Sequence, residues 1–298
     1  MTLAMAGLHD LVAAELSEPV DARVSALATA LAALYPDAAR AVLFYGSCLR
    51  QRELDGLMLD FYLIVSNYRD AYRSGWLVAA NTLIPPNVFP LEHEGLVAKY
   101  AVLSEDDFAR ECGLEARSTS VWARFAQPSR LVWASDDAAR ARTTASVALA
   151  VPTLFARTVP VMEEGGDDPI AVFRGGFART YRAELRAERA SRSGTVVDAD
   201  PDRYRRIGEA ALAEPPPPMN DAATERRRWR RRQLKGKALT LLRLAKASLT
   251  FAGGVDYLAW KINRHAGTAI EVRPWQRRWP ILGALILLPR LWRKGAIR

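Results

Sequence analysis

Apolar residues recur at helical spacing over 21–35, at Val24, Leu27, Leu31 and Leu34, and Pro36-Asp37 ends that helix. A short run rich in strand formers follows at 41–45 and stops at Gly46-Ser47. After the polar stretch 50–56, residues 57–65 read as a strand interrupted by one acid, Asp60. The spacing predicts a helix over 68–84, halted by Pro85-Pro86-Asn87. Two strands, 88–91 and 96–103, flank Glu92-His93-Glu94-Gly95 as a hairpin, and Ser104 opens a helix with Asp107 three residues on, a capping-box arrangement. A helix over 119–127 and a strand over 130–133 complete a mixed α/β unit ending near Asp137.

Beyond that point the pattern turns helical. Residues 138–213 read as helices broken at Pro152, Pro160 and the Gly165–Pro169 loop. Four prolines at 215–218 cannot continue a helix and read as a stiff linker running into the arginine cluster 226–232. Residues 234–265 alternate apolar and basic positions at helical period. The expected division is therefore a mixed-sheet domain over 1–137, a helical domain over 138–214, a Pro/Arg-rich linker over 215–232 and a basic amphipathic region over 233–298.

Charge sharpens this division. The 298 residues carry a net +9, yet residues 226–298 hold 19 Lys/Arg against two acids, Asp256 and Glu271. The rest is thus acidic by about 8 charges, and the basic end calls for an anionic partner, nucleic acid or an anionic membrane surface. Within it, 281–288 is apolar but spans only ~12 Å as a helix, against a ~30 Å hydrocarbon core. Trp275, Trp279 and Trp292, with Arg277, Arg278, Arg290, Arg293 and Lys294, flank it in the composition of an interfacial anchor. Nucleic acid would suit the arginine cluster but gives no reason for the apolar segment. Cys48 and Cys112 lack metal-ligand spacing, His9, His93 and His265 show no ligand motif, and no secretory signal pattern opens the chain. A cytoplasmic location is the expectation.

The candidate chemistry lies in Tyr45-Gly46-Ser47 and, on the next strand, Asp60. A glycine turn lets backbone N–H groups approach phosphates, Ser47 adds a hydroxyl donor, and a carboxylate on a rigid strand suits Mg²⁺. A strand, a Gly-Ser turn and a second strand with an acid near its start is the nucleotidyltransferase layout. That superfamily places two acids two residues apart, whereas the earlier position here is Met58. Asp55 and Glu92 are the candidates for a further catalytic acid, and Asp55 for a second metal ligand.

These residues, with Lys99-Tyr100-Ala101-Val102-Leu103-Ser104, Trp122-Ala123-Arg124-Phe125-Ala126-Gln127-Pro128 and Leu249-Thr250-Phe251-Ala252-Gly253-Gly254 followed by Tyr257 and Lys261, resemble in order the mitochondrial-type phosphatidate cytidylyltransferases, the translocator assembly and maintenance family. That family also has a hydrophobic residue where Met58 stands. The resemblance implies a CTP- and Mg²⁺-dependent enzyme, peripheral on the inner face of a membrane, that converts a lipid phosphate to its CDP derivative and pyrophosphate. It implies a nucleotidyltransferase domain, a winged-helix-like helical domain and a C-terminal membrane-binding helix. It places Gly46, Ser47, Lys99 and Arg124 toward nucleotide or lipid phosphate, and Asp60 on the metal. The alternatives are an RNA- or small-molecule-modifying nucleotidyltransferase and a non-catalytic lipid-binding protein on a degenerate form of the same fold.

Overall fold

A computed structural model describes residues 7–50, 53–183, 196–215, 219–250 and 273–274. Its centre is a mixed five-stranded sheet in the order β3-β4-β2-β1-β5, with β1 Ala39–Tyr45, β2 Met58–Val65, β3 Asn87–His93, β4 Leu96–Ser104 and β5 Ser129–Ala134. β2 and β4 run parallel, and the other neighbours are antiparallel. Side chains alternate across a pleated strand, and here both faces are apolar. Val42, Phe44, Phe61, Leu63, Val65, Tyr100 and Val102 pack under α2, Ala22–Ala33, through Val24, Leu27 and Leu31. Leu43, Tyr62, Ile64, Ala101 and Leu103 face a larger helical layer.

That layer gathers α1 Leu8–Leu16, α5 Glu105–Cys112, α6 Ser120–Phe125, α7 Asp137–Ala148, α8 Ala150–Thr158, α9 Pro169–Ala183 and α10 Pro201–Ala213. Between β2 and β3 lie α3 Tyr68–Ala71 and α4 Gly75–Leu83. The single helix expected over 68–84 is thus two, since Arg73-Ser74-Gly75 intervenes and Ser74 becomes an N-cap. The capping expected at Ser104 is present, its hydroxyl accepting from Asp107 N at 3.2 Å. α1 is an element that the sequence reading lacks.

The boundary expected at 137 does not part the core. Leu8, Trp122 and Phe125 from before it share one buried cluster with Val151, Phe173, Phe177 and Tyr204 from after it. A buried ion pair crosses the same boundary, with Arg203 donating to both carboxylate oxygens of Glu15 at 2.6 and 3.0 Å and to Ala126 O at 3.0 Å. The described part of 138–214 is helical without a strand, so it holds no counterpart of a wing.

The arginine cluster is helix rather than linker. α11, Ala222–Thr250, runs unbroken across the expected boundary at 232. Arginine is a good helix former, and Asp221 caps the start by accepting from Thr224 N at 3.0 Å. One face of the cluster is buried. Trp229 enters the large core and donates to Arg157 O at 2.7 Å, while Glu225, fully buried, pairs with Arg232. Gly236 makes the approach to α9 possible, because a Cβ there would lie 2.1 Å from Ala183 O. α11 continues alongside β3, the edge strand of the sheet. The expected interfacial segment, 281–288 and its flanks, lies outside the described residues.

Candidate functional site

Strand register assembles the site. Tyr45 pairs with Asp60 across β1 and β2, Asp60 with Lys99 across β2 and β4, and Lys99 with Pro90 across β4 and β3. Residues in one such row point to one face of the sheet, the face of the helical layer. Asp60 and Lys99 close an ion pair, Nζ to Oδ1 at 2.9 Å, with about a quarter of each side chain exposed.

At the end of β1 the chain turns through Gly46, whose φ of +97° is open to glycine and strained for other residues. The turn passes close over the acid, since a Cβ at Gly46 would lie 3.3 Å from Asp60 Oδ2. Ser47 follows, exposed, at the start of the short 3₁₀ turn Ser47–Arg50. The sequence-predicted group Gly46, Ser47, Asp60 and Lys99 therefore meets in one place.

Lys99 also joins a cavity of about 160 Å³ whose walls include Tyr45, Tyr62, Ser120, Arg124, Arg243 and Lys246. Four of its lining residues are cationic and none is acidic among the described residues. Arg124 donates to Ser120 O at 2.7 Å, with its guanidinium carbon 6.0 Å from the Tyr45 ring centre. Burial, with Asp60 nearby, holds the Tyr45 phenol well above its usual range, so it stays a neutral hydroxyl.

Arg243 and Lys246 are the residues that sequence reasoning missed. Both come from α11, in the region read as membrane-associating. Arg243 donates to Ser120 Oγ and to Pro85 O, each at 2.8 Å. Lys246, 8% exposed, donates to Ala80 O at 3.4 Å and to Ile84 O. Burial, reinforced by Arg243 one turn away, lowers the Lys246 ammonium to about 7. The corner they grip is firm, because Asn81 donates to Val102 O at 3.0 Å and accepts from Asn87 N. The available signal was two cations at i and i+3 inside the apolar run 239–246.

Two expected acids lie elsewhere. Asp55 pairs with Arg23 at 2.9 Å on α2, which covers the opposite sheet face, and is itself 66% exposed. Glu92 is exposed on β3, opposite Val97, two strands across and two residues along from Asp60, roughly 12 Å away by strand spacing and rise. Neither completes a two-acid site with Asp60, and no group of three or more His, Cys, Asp or Glu side chains that could hold a metal occurs among the described residues. The donor set suits Mg²⁺ in one form only, a cation arriving on phosphate oxygens and met by a single carboxylate. Asp60 Oδ2, on the side of the Gly46 turn, is the oxygen that could meet it.

The 25-residue stretch Asp137–Val161 is apolar and long enough to cross a membrane, but 61% of its most apolar window is buried in the fold. It supplies Val147, Val151, Leu154 and Phe155 to the core. Set against known proteins, the chain matches no family model and no curated relative.

Proposed function

We propose that the protein is a nucleotidyltransferase that uses CTP and Mg²⁺ to transfer a cytidylyl group to a lipid phosphate at a membrane surface. The observation that carries this reading is the Gly46 turn lying over Asp60, with Lys99 in register beside it and the basic cavity adjoining. A glycine turn beside one carboxylate and several cations fits a triphosphate and its metal better than it fits a neutral ligand.

In this reading an oxygen of the acceptor phosphate attacks the α-phosphorus of CTP. A new P–O bond forms, the bond from the α-phosphorus to the bridging oxygen breaks, and pyrophosphate leaves with its electron pair. The acceptor oxygen is already anionic, so no general base is required. Mg²⁺ would offset the charge that spreads over the phosphate oxygens. Asp60 would meet it, Lys99 would fix Asp60 and screen the same phosphates, and Gly46 and Ser47 would present backbone and hydroxyl donors. Arg124, tied to Ser120, would add a fixed positive charge. Such catalysis is positioning and charge neutralisation.

CTP specificity and a location on the inner face of a membrane rest on the family resemblance alone. The test is pyrophosphate release with each of the four nucleoside triphosphates against a panel of lipid phosphates. Release with CTP and a lipid phosphate supports the reading, and release with RNA or a soluble acceptor instead overturns it. One observation favours a second reading: Asp60 is ion-paired and has no partner acid beside it among Asp55 and Glu92, as suits a protein that binds phosphate groups without turnover. Binding of CTP and lipid phosphate with no pyrophosphate release would select that reading.

A further inference from the structure

We propose that the outward face of α11 over Arg226–Lys237 is a docking surface for an anionic lipid bilayer. The transferase reading, on which the choice of partner rests, puts the protein at a membrane without assigning the part that touches lipid.

At about 100° per residue, α11 divides into two sides. Glu225, Trp229, Arg232 and Gly236 fall on one. Trp229 enters the large core, Glu225 pairs with Arg232, and Gly236 bears on Ala183. Arg226–Arg228, Arg230, Arg231, Lys235 and Lys237 fill the other side, and all are exposed. They form a band about 17 Å long. None of these cations makes an ion pair among the described residues, and the sequence holds no acid from 226 to 250. Arg227 Nε donates along its own helix, to Ala223 O at 3.4 Å. Like charges stand one turn apart at Arg226 and Arg230, at Arg227 and Arg231, and at Arg231 and Lys235. That repulsion works against the helix. Near an anionic surface each of the same charges is attracted instead.

The outward side also carries an apolar line, and the line selects lipid. Leu234, Ala238 and Leu242 follow at every fourth residue, all exposed, Leu234 to 74% and Leu242 to 50%. Leu234 stands among the cations, between Arg231 and Lys235. A nucleic-acid backbone attracts arginine but has no use for leucine. A bilayer takes both, with guanidinium groups at headgroup level and leucine at the acyl boundary. A polybasic patch holds a membrane firmly only beside a second signal, and the tryptophan-flanked apolar composition of 275–292 offers one.

The test is flotation of the full chain at about 0.15 M salt. The vesicles are phosphatidylcholine alone, or phosphatidylcholine and phosphatidylserine at about 7:3. One variant combines Arg226→Gln, Arg227→Gln, Arg230→Gln and Arg231→Gln, and a second replaces the same four by lysine. The wild type should float with the mixed vesicles and not with pure phosphatidylcholine. Partitioning should fall on the order of a hundredfold in the Gln variant and stay within about threefold of wild type in the lysine variant. Leu234→Ser should lower it about tenfold. Circular dichroism and quenching of Trp229 should be unchanged in all three, as these positions are exposed. A Gln variant that floats like wild type overturns the proposal, and so does a wild type that does not prefer the mixed vesicles. If that variant still floats but loses a labelled single-stranded RNA in fluorescence anisotropy, the face serves nucleic acid. If it loses RNA and vesicles alike while Leu234→Ser floats as wild type, the face is a general polyanion binder and the choice of lipid falls. Pyrophosphate release from CTP with soluble dioctanoyl phosphatidate is the separate arm. Release by a chain whose Gln variant still floats keeps the transferase reading and refutes the docking face. Docking lost in the Gln variant, with no release by the wild type, keeps the face and removes the transferase reading.

Discussion

Lys99 Nζ lies 2.9 Å from Asp60 Oδ1, and the two residues are register partners on the parallel strands β2 and β4. The pairing holds the carboxylate with one oxygen committed and the other toward the Gly46 turn. Asp60→Asn keeps the shape but removes the charge. It is expected to lower pyrophosphate release on the order of a hundredfold or more, with far-ultraviolet circular dichroism unchanged. Wild-type rates at matched Mg²⁺ would falsify the metal-binding role.

Gly46→Ala tests the turn itself. The backbone there has φ +97°, and the new methyl would stand 3.3 Å from Asp60 Oδ2. The left-handed conformation costs roughly 1–2 kcal/mol for a residue with a Cβ. The expected outcome is that loss in urea unfolding, together with a larger loss in CTP affinity. A variant that loses stability but binds CTP as before would show that the turn does not touch the nucleotide.

Gly236→Ala tests how α11 is seated. A methyl 2.1 Å from Ala183 O cannot be accommodated without moving one helix. Overpacking of this kind costs typically 1–3 kcal/mol. The melting temperature should fall, and the Trp229 indole should become more accessible to a fluorescence quencher, which can be measured against a Trp229→Phe control. A neutral effect would mean that the two helices are farther apart in solution.

Lys246 gives stability a pH dependence of definite sign. Its ammonium titrates near 7 when folded and near the ordinary 10.5 when unfolded. Between those values the unfolded chain binds more protons, so stability rises with pH across the window, and the cost of the buried charge is fully present below about 7. Lys246→Met should therefore gain most over wild type near pH 6, with the advantage shrinking toward pH 10. Parallel wild-type and variant unfolding curves at every pH would contradict this.

Removal of 267–298 addresses a segment of which only residues 273–274 are described. The truncated chain should leave anionic liposomes in flotation, yet keep its turnover of dioctanoyl phosphatidate, because the site residues all precede Thr250. Truncation after Arg232 also removes the α11 part of the cavity wall, Arg243 and Lys246, and should lower that turnover too. Equal loss in both would show that 267–298 serves the folded body.

Local signals in the chain foretold much of the sheet. Gly46, the Ser104 cap and the 93–96 hairpin are encoded by residues close to one another, and β1, β2, β4 and β5 follow from short apolar runs. What could not be read was which distant segments meet. Arg226–232 has the composition of a solvated run, and only the tertiary partners Arg157 and the large core reveal that Trp229 is buried there. Arg243 and Lys246 look like the basic face of an amphipathic helix until the Pro85 corner is placed beneath them. Asp55 has the right residue type near the right strand, yet Arg23 holds it on the other side of the sheet.

The 29 residues of α11 make a rod about 44 Å long. Trp229 fixes it near one end, Gly236 lets it bear directly on α9, and Lys246 lies some 26 Å beyond the tryptophan. A helix so clamped acts as a lever with its fulcrum inside the fold. Lys246 at the cavity wall is one helical turn from Thr250, so force applied to that end would be felt at the cavity. Were the chain beyond Thr250 to dock on a surface, the shape of the basic cavity would shift with it.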